Sequence, residues 1–308
     1  MKLDMAGKKQ TIVLLLSTVI WGLSFPAIKI SLDQMLPLTL GLMRMVFGAV
    51  PLIFYMLYTQ SKDKMVNTFR TGFIPITGIA VTQFFLPLAA QNIGMNMMDP
   101  ESAASMSSIL QATTPIFAII FSSIFLKEYI GIKKALGTAI GLVGTVMLVS
   151  EGGRFIVGSY VIGNLLLLST AVSYGYSGII AKKNLVKIEP IPMITFSMII
   201  ATFFFLPTSL LNEPVSHLTE VSFNVWMLVL FLGLVCNGIA MIMWYIVLTS
   251  NELSKQISFT YLIPFFGVIF SNLFIGEIIG IRTVVFGVIT IVGISIAQYG
   301  RKKKPLKE

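Results

Sequence analysis

The chain holds one cysteine, Cys236, and one histidine, His217. A single cysteine excludes a disulfide within the chain, and one Cys with one His cannot assemble a Cys/His zinc site. Charge is sparse as well. Charged residues make up 11% of the 308, where soluble domains carry about 25%. In their place stands apolar material, 56% of the sequence. A particle of this size cannot hide that much apolar surface from water, so its solvent is lipid. No phosphate-binding loop, metal motif or nucleophile–base pair occurs, which leaves a soluble enzyme little to work with and gives no reason to expect a cofactor. The net charge of +9 is spread over short loops and one tail, a distribution that signals membrane topology rather than nucleic acid.

A further shortage concerns acids. Ten apolar segments are separable, near 11–30, 38–59, 72–91, 102–125, 133–150, 160–181, 191–211, 224–248, 256–275 and 283–299. All 13 Asp and Glu fall between these segments or at their ends, and none at a centre. Carboxylates inside a membrane usually mark ion relays, so a deep-carboxylate, proton-coupled mechanism has no residue to run on. Each segment is expected to be an α-helix, because backbone groups in hydrocarbon must be satisfied within the segment. The first, Thr11 to Ile30, follows lysines as a signal peptide would. Its length, its Lys29 and the lack of a small-residue cleavage site favour a retained helix.

Cations set the orientation. With the N-terminus in the cytoplasm, 18 of the 22 Lys and Arg fall in cytoplasmic loops and tails. Lys29, Arg154 and Arg282 lie outside and Arg44 inside a helix. That asymmetry places both termini in the cytoplasm, with the tail from Arg301 to Lys307 near anionic lipid or simply holding the C-terminus inside.

One stretch occurs twice. Pro115 to Gly131 reads PIFAIIFSSIFLKEYIG, and Pro264 to Gly280 reads PFFGVIFSNLFIGEIIG, with nine of 17 positions identical at an offset of 149 residues. Apolar bias supplies Ile and Phe matches but not Pro, Glu and Gly in register. The copies are separated by five spans, an odd number, so they point opposite ways across the membrane. Trp21-Gly22-Leu23-Ser24 and Lys29 align loosely with Tyr174-Gly175-Tyr176-Ser177 and Lys182. Gly144 aligns with Gly293. The expectation is an all-α membrane protein of two inverted five-helix repeats, residues 1–150 and 151–308, with a substrate site between them near the bilayer midplane.

On these residues the chain resembles the EamA family of the drug/metabolite transporter superfamily. The resemblance is carried by Trp21-Gly22 through Lys29, by Arg44, and by the Pro115…Glu128 and Pro264…Glu277 patterns. It implies a metabolite exporter or exchanger of the inner or plasma membrane and names no substrate, since members carry amino acids, nucleobases, vitamins and drugs. One departure stands out: Arg44 aligns with Ser197, so a site that uses Arg44 is asymmetric.

Candidate site residues follow from depth. Gln83 and Asn237 are mid-segment in corresponding helices. Gln111 and Tyr261 precede the repeated prolines, and Trp21 and Tyr174 align in the repeat. With Arg44 they make a substrate-binding set of aromatic walls with a few amides, which suits a small, partly apolar ligand. The competing reading is that each polar group bonds a neighbouring helix. Arg44 costs about 2.5–3.5 kcal/mol at a helix centre, so it either faces the interior or snorkels outward. Lys29 can snorkel easily. Pro115 and Pro264 are hinges or plain kinks. Glu128 and Glu277 hold loops by accepting backbone hydrogen bonds, with a gating role as the alternative. Gly137 and Gly141 are spaced for a close helix contact, within a monomer or across a weak homodimer.

Three classes remain to be weighed. A membrane-embedded enzyme needs a catalytic pair in the membrane, and His217 has no partner. A scaffold needs a soluble domain or a large apolar loop surface. Neither is visible, and the reading is therefore a transporter exporting or exchanging a small, amino-acid-like metabolite by alternating access. As a fixed charge, Arg44 suits an anionic group better than proton shuttling, so facilitated or exchange-driven flux of a neutral, zwitterionic or anionic substrate is expected.

Overall fold

A computed structural model describes residues 7–126, 131–149, 159–250, 253–256, 259–260, 262–278 and 280–298. Among them every regular element is a helix. The first half runs α1 (Gly7–Leu32), α2 (Pro37–Thr59), α3 (Lys62–Ile79), α4 (Leu86–Asn96), α5 (Ala103–Gln111), α6 (Thr114–Phe125) and α7 (Ile132–Val149). It continues with α8 (Ser159–Asn184), α9 (Pro190–Asn212), α10 (Phe223–Leu230), α11 (Ala240–Ser250), α12 (Leu253–Gln256), α13 (Leu262–Ile275) and α14 (Ile281–Gln298). Seven stretches of the described residues are long and apolar enough to cross a membrane, and Ala135–Gly144, Leu262–Ile275 and Ile281–Gly293 are shorter apolar helices. Between 39% and 56% of each long span is buried. The rest presents side chains such as Ile74, Phe203 and Leu211 outward, which suits lipid rather than water.

The helices follow the apolar segments with three departures. The third span begins at Lys62 rather than near residue 72, because Ser61 caps it: the hydroxyl accepts from the Lys64 N–H at 3.4 Å, with Asp63 in the first turn. Hydropathy missed this start because its first turns are polar. The fourth span is broken at Ala112–Thr113, so Pro115 is the second residue of α6 rather than a kink within one helix. The break leaves few backbone groups stranded. Pro115 has no N–H for the Gln111 carbonyl, and the Thr114 hydroxyl donates to that carbonyl instead, at 2.7 Å. Pro264 likewise sits in the first turn of α13.

The third departure is a pair of π-helical turns. Residues 80–85 join α3 to α4, and residues 231–239 join α10 to α11. In both the backbone bonds reach five residues, Leu86 N–H to Val81 and Ala240 N–H to Val235. Such turns insert an extra residue into a helix and recur at functional sites.

Packing crosses between the halves. α1 lies against α13, α2 against α9, α6 against α8, and α7 against α14. Several of these contacts come in pairs at the sequence offsets of the repeat. Gly22 packs on Phe266 and Gly267, and Gly175 packs on Phe117 and Ala118. Gly144 abuts Phe286 and Thr290, and Gly293 abuts Gly137 and Gly141. Gly137 and Gly141 thus make their close contact inside the chain. Two apolar clusters form the core, one around Met45, Phe84, Met198 and Trp244, the other around Phe25, Ile28, Leu110 and Cys236.

The acids at helix ends brace this packing. α13 ends at Gly276, whose φ of +69° turns the chain back as a C-terminal glycine does. The Glu277 carboxylate that follows is buried and accepts from the N–H groups of Ala104 and Ser105, both at 2.8 Å, and from the Ser105 hydroxyl at 2.5 Å. It does accept backbone hydrogen bonds, but at the start of α5 and not in its own loop. Glu213, after α9, treats the start of α2 the same way, taking the N–H groups of Leu38 and Thr39 at 2.8 and 2.7 Å. Glu128 lies outside the described residues.

Candidate binding site

A cavity of about 140 Å³ lies among α1, α2, α5, α8, α11 and the two π turns. That is roughly ten times the ~10–15 Å³ that one water needs, which fits a small metabolite. Trp21, Arg44, Gln83, Gln111, Tyr174 and Asn237 all line it. Six of the seven candidates from the sequence therefore converge on one space. The seventh, Tyr261, lies outside the described residues, between Thr260 and Ile263, which line the cavity.

Arg44 is 3% exposed and does not snorkel. A close approach of α2 to the second π turn sets its partners. Gly48 and Gly233 face each other so tightly that a Cβ on Gly233 would meet the Arg44 carbonyl at 2.7 Å. The resulting proximity brings Asn237 within reach: its Oδ1 accepts from an Arg44 terminal nitrogen at 3.1 Å. The other terminal nitrogen donates to Asn92 Oδ1 at 3.4 Å, and Asn92 Nδ2 donates to the Pro37 carbonyl at 2.9 Å. Arg44 Nε makes no hydrogen bond. The guanidinium is thus held by two neutral amides.

The walls are aromatic. The Trp21 indole N–H donates to the Cys236 carbonyl at 3.1 Å, and its ring packs on Trp244 with centroids 5.2 Å apart. Phe25, Phe84, Tyr174 and Tyr245 add further ring surface. Gln83, in the first π turn, accepts from the Ser177 hydroxyl on α8. Lys29 stays out of the cavity and pairs with Asp33 at 2.6 Å.

Sequence reasoning missed Asn92, Gln91, Trp244, Tyr245 and Ser177. Gln91 and Asn92 fall at the edge of the segment placed near 72–91, where a polar residue gives no sign of a site. The helix continues about a turn beyond them, to Asn96, and both are buried. The adjacent Trp244-Tyr245 pair in the eighth segment was the available signal for the aromatic wall.

Known proteins agree with the fold and the class. The chain resembles "Uncharacterized transporter YoaV" of Bacillus subtilis, 26% identical over 90% of this chain and 92% of that protein. A "Probable amino-acid metabolite efflux pump" of Salmonella typhimurium is 27% identical over 96% of each chain. A "Probable terminal-alkyne amino-acid exporter" of Streptantibioticus cattleyicolor is 22% identical over 94% of this chain and 95% of its own. One solved crystal structure superposes over 94% of this chain and 95% of its own at a TM-score of 0.64, with 17% identity, and so shares the fold. The profile of the EamA-like transporter family matches residues 8–150 and again 161–298, and on that double match, across a multi-pass apolar chain, the protein belongs to the EamA-like transporter family.

Proposed function

We propose that this transporter exports or exchanges a small amino-acid-like metabolite across the inner or plasma membrane, by alternating access between two inverted five-helix repeats, residues 1–150 and 151–308. The seven long spans and the three shorter apolar helices then make ten crossings, with both termini cytoplasmic. The observation that carries the reading is the cavity itself: aromatic side chains and a few polar groups from both halves meet in one space, the make-up of a small-molecule site. Trp21, Arg44, Gln83, Gln111, Tyr174, Asn237 and Tyr261 are the proposed binding residues.

The inverted arrangement is supported by reciprocal contacts. Residues 117 and 118 precede 266 and 267 by 149 positions, and Gly22 precedes Gly175 by 153. A two-fold axis between the halves produces paired contacts of this kind. The α2–α9 pair behaves alike. Glu213 holds the start of α2, and Gln60, at the end of α2, donates to Glu189 at the start of α9 at 3.1 Å. The names of the efflux pumps and exporters similar to this chain favour export and an amino-acid-like substrate.

In the proposed cycle the halves rock about the cavity and expose it to one side at a time. The break at Ala112–Thr113 ahead of Pro115, and the start of α13 at Pro264, are the proposed hinges, since a helix break absorbs backbone rotation without straining a continuous ladder. Metabolite profiling of the medium from cells overexpressing or lacking the protein tests the function. One or more amino-acid-like metabolites should rise outside overexpressing cells, and Trp21→Ala or Gln111→Ala should remove most of that rise while the protein still reaches the membrane. An unchanged medium would overturn the export reading. A periplasm-active reporter fused after Gly300 should be silent, and activity there would overturn the inverted topology.

A further inference from the structure

We infer that the cavity takes an amino-acid-derived carboxylate whose α-ammonium has been removed or acylated, and that Arg44 is its counter-ion. This deepens the proposed reading of the cavity as the substrate site and rests on it.

The charge balance of the cavity is one-sided. Arg44 brings a buried positive charge, and the ion pairs among the described residues, Lys29–Asp33 and Lys64–Glu189, do not involve it. No Asp or Glu is among the described residues that line the cavity. A buried charge held only by neutral amides is costly. A bound carboxylate relieves that cost and can be gripped by a planar guanidinium through two parallel hydrogen bonds.

The hydrogen-bonding groups lean the same way. Arg44 Nε, Asn237 Nδ2, Gln111 Nε2 and the Tyr245 hydroxyl are buried without a hydrogen-bond partner, and all four residues line the cavity. The first three are N–H donors. The Asn237 amide is oriented by Arg44, which takes its Oδ1, so its free end is the NH2 group. Two of the lining amide oxygens are already engaged: Gln83 Oε1 by Ser177, and Asn237 Oδ1 by Arg44. A surplus of donors around one cation matches an acceptor-only ligand group, which an ionised carboxylate is.

The same balance disfavours a free ammonium. An α-ammonium sits beside its carboxylate, so the zwitterion would bring a second positive charge close to Arg44 in a poorly screened space. No carboxylate among the described lining residues is placed to receive it. Removing the amine, as in a 2-oxo acid, or acylating it leaves a monoanion. Its apolar body then meets Trp21, Tyr174, Trp244 and Tyr245.

A matched series with one phenyl body tests the inference: phenylpyruvate, N-acetylphenylalanine, phenylalanine, N-acetylphenylalanine amide and phenylethylamine. The readouts are ligand-induced thermal stabilisation of the purified full-length protein and flux of labelled N-acetylphenylalanine and of labelled phenylalanine in proteoliposomes. The two acids should act at concentrations roughly 10- to 100-fold lower than the amide, the range for losing hydrogen bonds to a charged group, and lower than phenylalanine, whose ammonium is repelled by Arg44. Phenylethylamine should have no effect. Arg44→Gln should make acid and amide equivalent, and Arg44→Lys should keep part of the preference. Should Arg44→Gln fail to fold, the ligand series on the native protein decides alone. Phenylalanine as effective as its N-acetyl form, an amide as effective as the acid, or no response to either acid would each overturn the inference. If the acids stabilise in the expected order but no flux is seen, the transport reading fails and the ligand class stands. If phenylalanine alone is carried, transport stands and the ligand class fails.

Discussion

Glu277 and Glu213 perform the same task in different surroundings, and the difference predicts unequal losses. Each carboxylate accepts two backbone N–H groups and one hydroxyl at the start of a helix in the first half. Glu277 binds Ala104, Ser105 and the Ser105 hydroxyl, and Glu213 binds Leu38, Thr39 and the Thr39 hydroxyl. Glu277 is 3% exposed, whereas Glu213 is partly open. In Glu277→Ala, water does not easily replace the lost acceptor. Two buried N–H groups left alone cost about 1–3 kcal/mol each, or about 2–6 kcal/mol together. The Ser105 hydroxyl can turn to a backbone carbonyl of its helix and adds little. In Glu213→Ala, solvent reaches the vacated donors, and the loss falls to that of an ordinary helix cap, about 0.5–2 kcal/mol. Thermal unfolding of the purified full-length protein in detergent should therefore rank Glu277→Ala well below Glu213→Ala. Glu277→Gln, which keeps one acceptor oxygen, should fall between Glu277→Ala and the native protein. Glu101→Ala, an exposed acid, should stay within about 0.5 kcal/mol of native. Equal melting of Glu277→Ala and Glu213→Ala would refute the claim that burial sets the value of these caps.

The paired glycine contacts give a second expectation. A Cβ on Gly22 would stand 2.5 Å from Phe266 Cβ, and one on Gly175 would stand 2.9 Å from the Ala118 nitrogen. Each Gly→Ala change should lower stability by about 1–3 kcal/mol through overpacking, read as lost melting temperature. Gly287→Ala, whose nearest neighbour is 3.4 Å away, should be tolerated. Thr114→Val keeps the shape of the side chain but strips the Gln111 carbonyl of its 2.7 Å partner. The expected loss is about 1–3 kcal/mol, with Ser restoring most of it in the same melting assay.

Most of the fold was legible because lipid restricts the chain to one kind of element, so a segment long and apolar enough to span is also a helix. The candidate site was legible for a related reason: Trp21, Arg44, Gln83, Gln111, Tyr174 and Asn237 are costly in lipid unless they face one another. What hydropathy could not see were features with no apolar signature. The capped start at Ser61 lies in polar sequence. The π turns at 80–85 and 231–239 carry no Pro to announce them, and nothing in a hydropathy profile records a change from four-residue to five-residue bonding. Nor did depth alone reveal that Arg44 is held by Asn92 and Asn237. That pairing depends on the approach of Gly48 to Gly233, which sequence spacing does not encode.

The two π turns and the break between α5 and α6 are where the helices are irregular, and they coincide with the cavity. Gln83 and Phe84 belong to one π turn, and Cys236 and Asn237 to the other. Gln111, Ala112 and Thr114 surround the break between α5 and α6. A regular helix spends its backbone groups internally and offers neighbours only side chains along fixed stripes. A π turn or a break moves the stripe, so a polar side chain can point into a cavity while the flanking turns keep their apolar faces on lipid and core. The cost is local stability, because backbone bonding is weakened wherever the turn departs from α geometry. Regular neighbours bear that cost: α2 and α9 pack along their length, as do α7 and α14, and buried or half-buried carboxylates fix the helix starts at Leu38 and Ala104. The irregular segments thus aim Gln83, Gln111 and Asn237 at the cavity, while α2 both presents Arg44 to it and braces the fold against α9. Straightening either π turn by deleting one residue, at Thr82 or at Val235, would therefore rotate Gln83 or Asn237 relative to the distal half of its helix. It should raise thermal stability or leave it unchanged while abolishing stabilisation by the phenyl carboxylates. A deletion that preserved ligand stabilisation would show that the π geometry is incidental to the cavity.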